Sequence, residues 1–287
     1  MSAESGRLAR AKVNLYLHVV GKRADGYHLL DSLIVFAETG DLLSVEAADQ
    51  LRVTIDGPFA DGLAAEADNL VLRAARALAA EAGIAANAHI HLTKSLPIAS
   101  GIGGGSADAA AALASLRQLW RVDIDAARLQ RIALSLGADV PVCVDGRPAF
   151  IGGIGEEIAP AGRLPAAWLL LVNPKVPTPT PQVFKARRGD FSRPARWSTP
   201  PASVADLAAY LKNCRNDLTD AAISVAPPIA DVLAAIGATG DCLLARLSGS
   251  GATCFGLYPD GATAEAARQA IARQQPGWWL AAARIAG

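Results

Sequence analysis

Cysteine is scarce in this sequence, and the few cysteines show none of the spacings that bind metals or build a disulfide framework. The 287 residues contain four cysteines, with no CxxC pair and no histidine at metal-ligand spacing from them. A chain of this length rarely depends on so few cysteines for disulfides, so we expect reduced, buried thiols. The four are Cys143, Cys214, Cys242 and Cys254.

Excess charge and long apolar runs are also missing. Lysine plus arginine number 27, and aspartate plus glutamate also number 27, so the chain lacks the basic surface of a general nucleic-acid binder. No apolar stretch approaches the roughly 18–20 residues needed to cross a bilayer, and the first ten residues lack the apolar segment of a secretory signal. With 52% hydrophobic residues the composition is globular. We therefore expect a cytoplasmic protein with no nucleic-acid or membrane partner.

What the sequence does contain is a mixture of strand-like and helix-like patterns. Strict alternation of apolar and polar residues predicts a strand over 11–20, and shorter patterns predict further strands at 33–36, 42–46, 51–55, 88–93, 168–172, 243–247, 253–257 and 279–285. Apolar residues at helical spacing predict helices near 70–82, 106–120, 126–136, 204–212, 229–236 and 262–273. Prolines crowd residues 174–181 and 194–201, which predicts extended loops there. Because strands and helices do not alternate regularly, we predict an α+β fold with a domain boundary near 155–170.

A glycine-rich loop, Gly101-Ile102-Gly103-Gly104-Gly105-Ser106, lies between a predicted strand and a predicted helix. Glycine lets backbone N–H groups turn toward a bound anion, and the N-terminus of the following helix adds the positive end of its dipole. A polyphosphate is the expected ligand. A Walker A loop is excluded because no lysine follows Gly105, and a Rossmann fingerprint fits poorly because Ser106 replaces a glycine. The loop alone also fits a tight turn in which Ser106 only caps the helix.

Three polar residues elsewhere stand in settings that favour a chemical role. Lys12 and Asn14 lie two residues apart on the alternating strand, so both side chains point to one face. Asp139 lies beside Val140 and Pro141, and an acid in an apolar neighbourhood is usually paired or functional. Each has an ordinary alternative, which is a solvated strand face for Lys12 and Asn14 and a helix or turn cap for Asp139.

Aromatic and imidazole rings occur in two further places. Tyr27 and His28 follow an Asp-Gly turn, where their rings are suited to stack on a nucleobase. The alternative is a tyrosine packed at a hairpin end beside an exposed histidine. His89 and His91 lie on one face of a predicted strand, and we expect no acidic or cysteine neighbour in register with them. We therefore interpret this pair as structural and not as metal ligands.

The glycine loop and several other segments resemble those of a known kinase superfamily. Pro97-x-x-x-Gly-Ile-Gly-Gly-Gly-Ser-Ala-Asp resembles the ATP-phosphate motif of the galactokinase, homoserine kinase, mevalonate kinase and phosphomevalonate kinase superfamily. The three consecutive glycines before Ser106 are similar to the 4-diphosphocytidyl-2-C-methyl-D-erythritol kinases in particular. Further similar segments, at 11–15, 23–28, 136–141, 177–181 and 247–253, follow in the expected order over nearly the whole chain.

The resemblance implies an α+β small-molecule kinase of two domains, 1–160 with the phosphate loop and 161–287, with the active site in the cleft between them. The implied reaction transfers the γ-phosphoryl group of ATP to the 2-hydroxyl of 4-diphosphocytidyl-2-C-methyl-D-erythritol, a step of non-mevalonate isoprenoid precursor synthesis. Such chemistry also implies Mg²⁺. No acidic pair in the sequence stands out as its ligand, and monomer and homodimer both stay open.

The resemblance also assigns roles to individual residues. Asp139 is expected to be the catalytic base and Lys12 its companion. The expected substrate contacts, which include the cytosine pocket, are Asn14, Tyr27, His28, Ile154, Thr180 and Phe184. The expected ATP contacts are Asn69, Lys94, Pro97, Ile98, Ala99, Ser100, Gly101, Ile102, Gly103, Gly104, Gly105, Ser106, Ala107, Ser248 and Gly249. For Asn69 and Lys94 the alternatives are a helix N-cap and a surface lysine.

Two features depart from the family pattern, and two rival functions remain. Ala107 replaces a serine that is common in the family, so Ser106 is the one hydroxyl left at this point of the loop; Ser100 stands where glycine or alanine is more usual. One rival is another kinase of the superfamily acting on mevalonate, homoserine or a sugar. The other is a nucleotide-binding protein without activity. The triple glycine and the Tyr27-His28 pair disfavour the first rival, and the presence of both Lys12 and Asp139 disfavours the second.

Overall fold

The structure, a computed structural model, describes residues 6–61, 63 and 69–286. Its strands and helices mix along the chain, as expected for an α+β protein. In order they are β1 (Arg7–Lys22), β2 (His28–Glu46), β3 (Arg52–Asp56), α1 (Leu70–Ala82), β4 (His89–Thr93), α2 (Gly104–Leu119), α3 (Ala126–Leu136), α4 (Val140–Asp145), β5 (Ala149–Gly152), β6 (Glu157–Pro160), β7 (Trp168–Asn173), α5 (Thr180–Ala186), α6 (Val204–Lys212), α7 (Thr219–Val225), α8 (Pro228–Gly237), β8 (Leu244–Leu247), β9 (Cys254–Tyr258), α9 (Gly261–Gln274) and β10 (Trp279–Arg284).

The described residues form two compact units, and β1 and β2 each run from one unit into the other. Unit 1 contains 6–11, Thr39–Ile98 and Gly103–Gly146, apart from residues 62 and 64–68. Unit 2 contains Lys12–Glu38, Ala99–Ile102 and 147–286. The domain boundary predicted at residue 160 stays a prediction, as does an active site in a cleft. None of the described helices is long and apolar enough to cross a membrane.

Unit 1 packs four helices against a small sheet. In this unit β4 is the central strand, antiparallel to the last residues of β2 and parallel to β3. The apolar side of β4 packs with the alanine-rich face of α2 in the core, which also takes in α1, α3 and the start of α4. Alanine has the highest helix propensity and the smallest side chain that favours a helix, so α2 can be buried on nearly every side.

Unit 2 is built on a second sheet. Four antiparallel strands lie in the order β10-β7-β9-β8, and helices α7, α8 and α9 contribute to the core beside them. The first half of β2 pairs with β5, which pairs in turn with β6. Leu17 and Val19 of β1 belong to the same core, which places the N-terminal strand beside C-terminal elements.

Side-chain caps and a glycine mark the ends of two helices. The side chain of Asn69 accepts the Val71 N–H at 2.8 Å and caps α1, and Gly83 ends that helix in the left-handed conformation. The side chain of Asp125 accepts the Arg128 N–H at 2.7 Å and caps α3. Asn69 is therefore a helix N-cap, which was the alternative to its predicted role as an ATP contact, and that role stays a prediction.

Two predicted boundaries were wrong for identifiable reasons. The strands expected at 33–36 and 42–46 are one continuous strand, β2, which passes through Gly40 without a break. A side chain at Gly40 would lie 2.0 Å from the carbonyl oxygen of Ala9, so this glycine allows β1 and β2 to approach closely and does not mark a turn. The loop predicted at 174–181 ends two residues early, since helix α5 begins at Thr180 with Pro181 in its first turn, where the missing N–H of proline costs nothing.

Candidate active site

The backbone of the glycine loop has the geometry of an anion-binding turn. Ala99, Gly101 and Gly103 have φ of 49°, 76° and 65°, whereas Ser100 and Ile102 between them do not have positive φ. Residues of positive φ at alternate positions of a loop can turn neighbouring N–H groups toward one concave side, where a phosphate can bind. Helix α2 starts directly after this turn.

The first turn of α2 is left open for a ligand. Gly103 is the N-cap, so it offers no side chain to the N–H groups of the first turn, and that turn contains no acidic residue. Ser106 lies inside the helix, so the alternative in which Ser106 merely caps it is wrong. Unsatisfied N–H groups and the positive end of the helix dipole both favour a phosphate at this point.

A second glycine turn, Ser248-Gly249-Ser250-Gly251, packs against part of the first. The Ser248 hydroxyl donates a hydrogen bond to the carbonyl oxygen of Gly101 at 3.0 Å, and the N–H of Thr253 donates to that of Ser100 at 3.0 Å. A side chain at Gly101 would lie 2.5 Å from the Ser248 carbonyl oxygen, and one at Gly249 would lie 2.8 Å from that of Gly101. Only glycine permits so close an approach of two backbones, which explains both glycines.

The polar face of β1 is buried, so the alternative of a solvated face is wrong. Lys12 and Asn14 are 5% and 4% exposed. The Lys12 ammonium donates to Asn14 Oδ1 at 3.1 Å, and the Asn14 amide donates to Ser32 Oγ at 2.8 Å. The Asn14 N–H donates to Ser248 Oγ at 3.2 Å. Unit 2 thus joins the Lys12-Asn14 pair, the Ser248 turn and residues 99–102 in one network, which fixes the direction of both side chains.

Two of the rings expected to bind the cytosine lie together. His28 stacks on Phe184, with ring centroids 5.3 Å apart and 26° between the planes. Burial lowers the pKa of His28 below its ordinary value, and Lys22 and Arg187 lower it further. Tyr27 is 61% exposed, so the structure does not bring its ring to this pair.

Two other predicted pocket residues make polar contacts within unit 2. Thr180 Oγ1 and Ser250 Oγ share a hydrogen bond at 2.7 Å, which ties the start of α5 to the second glycine turn. The Ile154 N–H donates to Glu156 Oε2 at 2.5 Å, in the turn before β6. The first contact joins two side chains, and the second holds the backbone N–H of Ile154. The stacked rings of His28 and Phe184 lie on β2 and α5.

Lys94 is not a surface lysine, since it is 3% exposed. Its ammonium donates to Asp41 and, at 2.6 Å, to Asp108 Oδ2 in α2. Asp41 also accepts the N–H groups of Ser95 and Leu96, at 2.6 and 2.8 Å. Burial favours a lower pKa for Lys94, but the charges of Asp108 and Asp41 outweigh it and raise the pKa. The three charged residues form a buried triad that joins β2, the end of β4 and α2.

The single positive charge of Lys94 cannot neutralise the negative charges of both Asp41 and Asp108, and Asp108 is the less well compensated carboxylate. Its Oδ1 is buried without a hydrogen-bond partner among the described residues. Burial and, to a smaller extent, the charge of Asp41 raise the pKa of Asp108, and Lys94 lowers it; together they bring the pKa to about 7. The sequence interpretation missed Asp41 and Asp108. A charged residue within a run of buried alanines was the signal that marked Asp108.

The proposed base, Asp139, occupies the N-cap position of α4 but makes no side-chain cap hydrogen bond. Its side chain is partly exposed. Capping of the helix therefore does not explain an acid at this position.

Asn69, one of the predicted ATP contacts, is 8% exposed, and its side-chain oxygen accepts the hydrogen bond that caps α1.

The interpretation of the two other strand histidines needs one correction. His89 and His91 lie on one face of β4 as expected, but an acidic residue is in register, since Glu46 is paired with His89. The expectation of no acidic neighbour was wrong because the sequence predicted a strand at 42–46 without showing which strand pairs with it. In the structure this part of β2 pairs with β4, which brings Glu46 opposite His89.

Comparisons with known proteins agree on one family. The GHMP kinases N terminal domain matches residues 69–147, and the GHMP kinases C terminal domain matches residues 203–277. A 4-diphosphocytidyl-2-C-methyl-D-erythritol kinase of Paramagnetospirillum magneticum is 55% identical over 277 residues, which cover 96% of this chain and 97% of the relative. A relative of the same name from Parvibaculum lavamentivorans is 49% identical, with both chains covered completely.

Solved structures give the same picture. A crystal structure of 4-(cytidine 5'-diphospho)-2C-methyl-D-erythritol kinase matches with a TM-score of 0.80 and 34% identity, covering 98% of this chain and 99% of that one. A homoserine kinase from Cytophaga hutchinsonii matches with a TM-score of 0.70 at 19% identity, covering 99% of this chain and 96% of that one. At that identity the second match shows a shared fold and no more.

Proposed function

Because the chain belongs to the GHMP kinase family, and within it to the 4-diphosphocytidyl-2-C-methyl-D-erythritol kinases, we propose that it phosphorylates the 2-hydroxyl of 4-diphosphocytidyl-2-C-methyl-D-erythritol. The γ-phosphoryl group comes from ATP, and the products are ADP and a phosphomonoester. The observation that carries the proposal is 55% identity to a kinase of that name over 96% of the chain. The reaction serves non-mevalonate isoprenoid precursor synthesis.

The phosphates of ATP bind at the glycine loop. The alternating backbone of residues 99–103 and the uncapped first turn of α2 supply N–H donors and no opposing charge. Phosphoryl transfer depends mainly on positioning and on charge stabilisation, and backbone donors held by the Ser248 turn are rigid enough for that task. Gly101 and Gly249 keep the two turns in contact.

Asp139 and Lys12 prepare the acceptor hydroxyl. Asp139 takes the proton of the 2-hydroxyl as its oxygen attacks the γ-phosphorus and ADP leaves. Lys12 supplies positive charge that orients the attacking oxygen. The buried network around Asn14 fixes the Lys12 side chain, so the ammonium needs little reorganisation during the reaction.

The cytosine ring binds at His28 and Phe184. Two rings that flank a planar base lie roughly 7 Å apart, since each stacking contact needs about 3.5 Å. The centroids are now 5.3 Å apart, so one ring must move for the base to enter between them. The low pKa of His28 keeps its imidazole neutral, which suits stacking on an uncharged base and leaves a ring nitrogen able to accept a hydrogen bond.

Magnesium fits this site through oxygen donors. The Ser106 hydroxyl, partly exposed in the first turn of α2, would hold the ion together with ATP phosphate oxygens. Asp108 is an unsuitable ligand because its carboxylate is buried against Lys94. When bound, Mg²⁺ neutralises charge on the phosphates.

A cytoplasmic location stays a prediction. The four cysteines are free thiols, as is usual in proteins of that compartment.

The replacement Asp139→Asn tests the proposed base. We expect kcat to fall at least 10²-fold, in line with loss of general-base catalysis, while the dissociation constant for ATP changes little. The matched control is Asp145→Asn, at the exposed C-terminal end of the same helix. Both variants are assayed by ADP release and by ATP titration, and ³¹P NMR of the wild-type product should show a phosphomonoester at the 2-position. Full turnover by the Asp139 variant would refute the assignment, whereas a different phosphorylated alcohol would refute the substrate.

A further inference from the structure

Away from the residues assigned to the kinase reaction, a glutamate and two histidines meet on one face of the unit 1 sheet. Glu46 is the last residue of β2, and His89 and His91 lie two residues apart on β4, with Glu46 and His89 paired across the strands. Residues two apart on a strand point to the same side. Ile90, between the histidines, belongs to the core, so the cluster lies on the opposite face.

The donor atoms of the three side chains converge. His89 Nδ1 lies 2.9 Å from Glu46 Oε1, and His91 Nε2 lies 3.5 Å from the same oxygen. All three donor atoms lie within 4.8 Å of one another. Ligands of a tetrahedral zinc ion are about 3.3–3.6 Å apart, given bond lengths of 2.0–2.2 Å. The 3.5 Å between His91 and Glu46 lies in this range, and the other donor distances differ from it by an amount that small side-chain rotations can supply.

A fourth residue sets the direction of the buried imidazole. Thr54 Oγ1, on β3, lies 2.8 Å from His89 Nε2. When Thr54 accepts the Nε2 hydrogen, the Nδ1 lone pair of His89 points toward the cluster. Metal-binding histidines are commonly held this way, with the second ring nitrogen donating to a nearby oxygen. The ring is already ordered, because His89 is 8% exposed.

The cluster is also accessible to an ion. The side chains of His91 and Glu46 are 46% and 60% exposed, so a metal can enter from solvent and complete its coordination with water. Arg52, paired with His89 on the other neighbouring strand, is the cation nearest in register, but its side chain is exposed to solvent. Two imidazoles and one carboxylate suit zinc and its neighbours, whereas Mg²⁺ prefers oxygen ligands alone.

We propose that Glu46, His89 and His91 form a binding site for a divalent transition metal of the zinc class, with Thr54 orienting His89. The ion connects β2 to β4 on the face away from the core of unit 1. Neither the site nor its ion takes part in phosphoryl transfer. The proposal is therefore independent of the proposed kinase function.

Zinc titration of the full chain by isothermal calorimetry tests the site. We expect one Zn²⁺ per chain, with binding that persists in a large excess of Mg²⁺. His91→Ala, a change at an exposed position, should weaken binding at least tenfold, and Thr54→Val should weaken it by about 10–100-fold through loss of orientation. The matched control is His28→Ala, which removes a histidine outside the cluster and should bind zinc like the wild type.

Cobalt substitution excludes the cysteines as an alternative source of binding. The Co²⁺ spectrum should show visible d–d bands without the near-ultraviolet charge-transfer band of a thiolate ligand. Circular dichroism of each variant confirms folding before titration. A wild-type chain that binds no zinc, a His91 variant with unchanged affinity, or a thiolate band would each overturn the proposal.

Discussion

Replacing Asp108 with asparagine should remove a pH dependence of stability that the wild-type protein carries near neutrality. Asp108 is 3% exposed, and its carboxylate shares the single ammonium of Lys94 with Asp41. One carboxylate oxygen, Oδ1, has no hydrogen-bond partner among the described residues. Asparagine keeps the shape of the side chain, removes the excess negative charge, and leaves Lys94 paired with Asp41.

The magnitude follows from the pKa of Asp108. Burial, aided by Asp41, raises it to about 7 in the folded state, whereas an aspartate in the unfolded chain titrates near 3.9. The folded state therefore holds a proton that the unfolded state releases. This stabilisation is fully present below the unfolded pKa and is lost as the pH rises through about 7. Between pH 5 and pH 8 the free energy of unfolding should fall by about 3 kcal/mol through this group.

Urea unfolding at pH 5 and pH 8 measures this difference. Other groups that titrate in this range, such as His28 with its lowered pKa, contribute equally to wild type and variant, so they cancel in the comparison. We expect the loss of stability from pH 5 to pH 8 to be about 3 kcal/mol larger for the wild type than for Asp108→Asn. Equal losses in the two proteins would show that Asp108 is ionised throughout, and the reasoning about the triad would fail.

Three further changes test the geometry of the site. Gly101→Ala forces a side chain to 2.5 Å from the Ser248 carbonyl oxygen at a φ of 76°, so it should cost about 1–3 kcal/mol in thermal unfolding and raise the KM for ATP. Gly105→Ala, where a side chain in helix α2 meets nothing within 4 Å, should not lower the stability. Phe184→Ala removes one ring of the stacked pair and should raise the KM for the cytidyl substrate, with the KM for ATP unchanged in steady-state kinetics. The Asn216 side-chain amide donates to the carbonyl oxygens of Leu247 and Gly249. Asn216→Ala leaves both oxygens without this donor and should lower the free energy of urea unfolding by about 2–4 kcal/mol, whereas a change below about 0.5 kcal/mol would contradict these hydrogen bonds.

The sequence predicted the features that local chemistry determines. Asn69, for which an N-cap was the alternative, caps α1 because a side-chain oxygen placed just before a helix can satisfy its first N–H groups. Ser248 and Gly249, expected to share a function with the glycine loop, lie next to Gly101 of that loop. Period-two alternation located β1, which the structure extends by a few residues at each end.

What the sequence could not show depends on contacts between distant residues. Alternation in β1 identified a polar face, but burial of Lys12 and Asn14 results from partners such as Ser32, which no local pattern indicates. In the same way, the sequence left a surface lysine open as the alternative for Lys94, because nothing local shows that the strands bring Asp41 beside it. Pairing between strands and burial by remote elements are properties of the whole fold.

Turnover with a panel of acceptor alcohols tests the central claim most directly. The purified protein is incubated with Mg-ATP and, in turn, 4-diphosphocytidyl-2-C-methyl-D-erythritol, mevalonate, homoserine and galactose, and ADP release gives kcat/KM for each. The account predicts turnover of the cytidyl substrate and none above background with the other three. Turnover of another alcohol in its place would contradict the substrate assignment, and no turnover of any of the four would contradict the assignment of kinase activity.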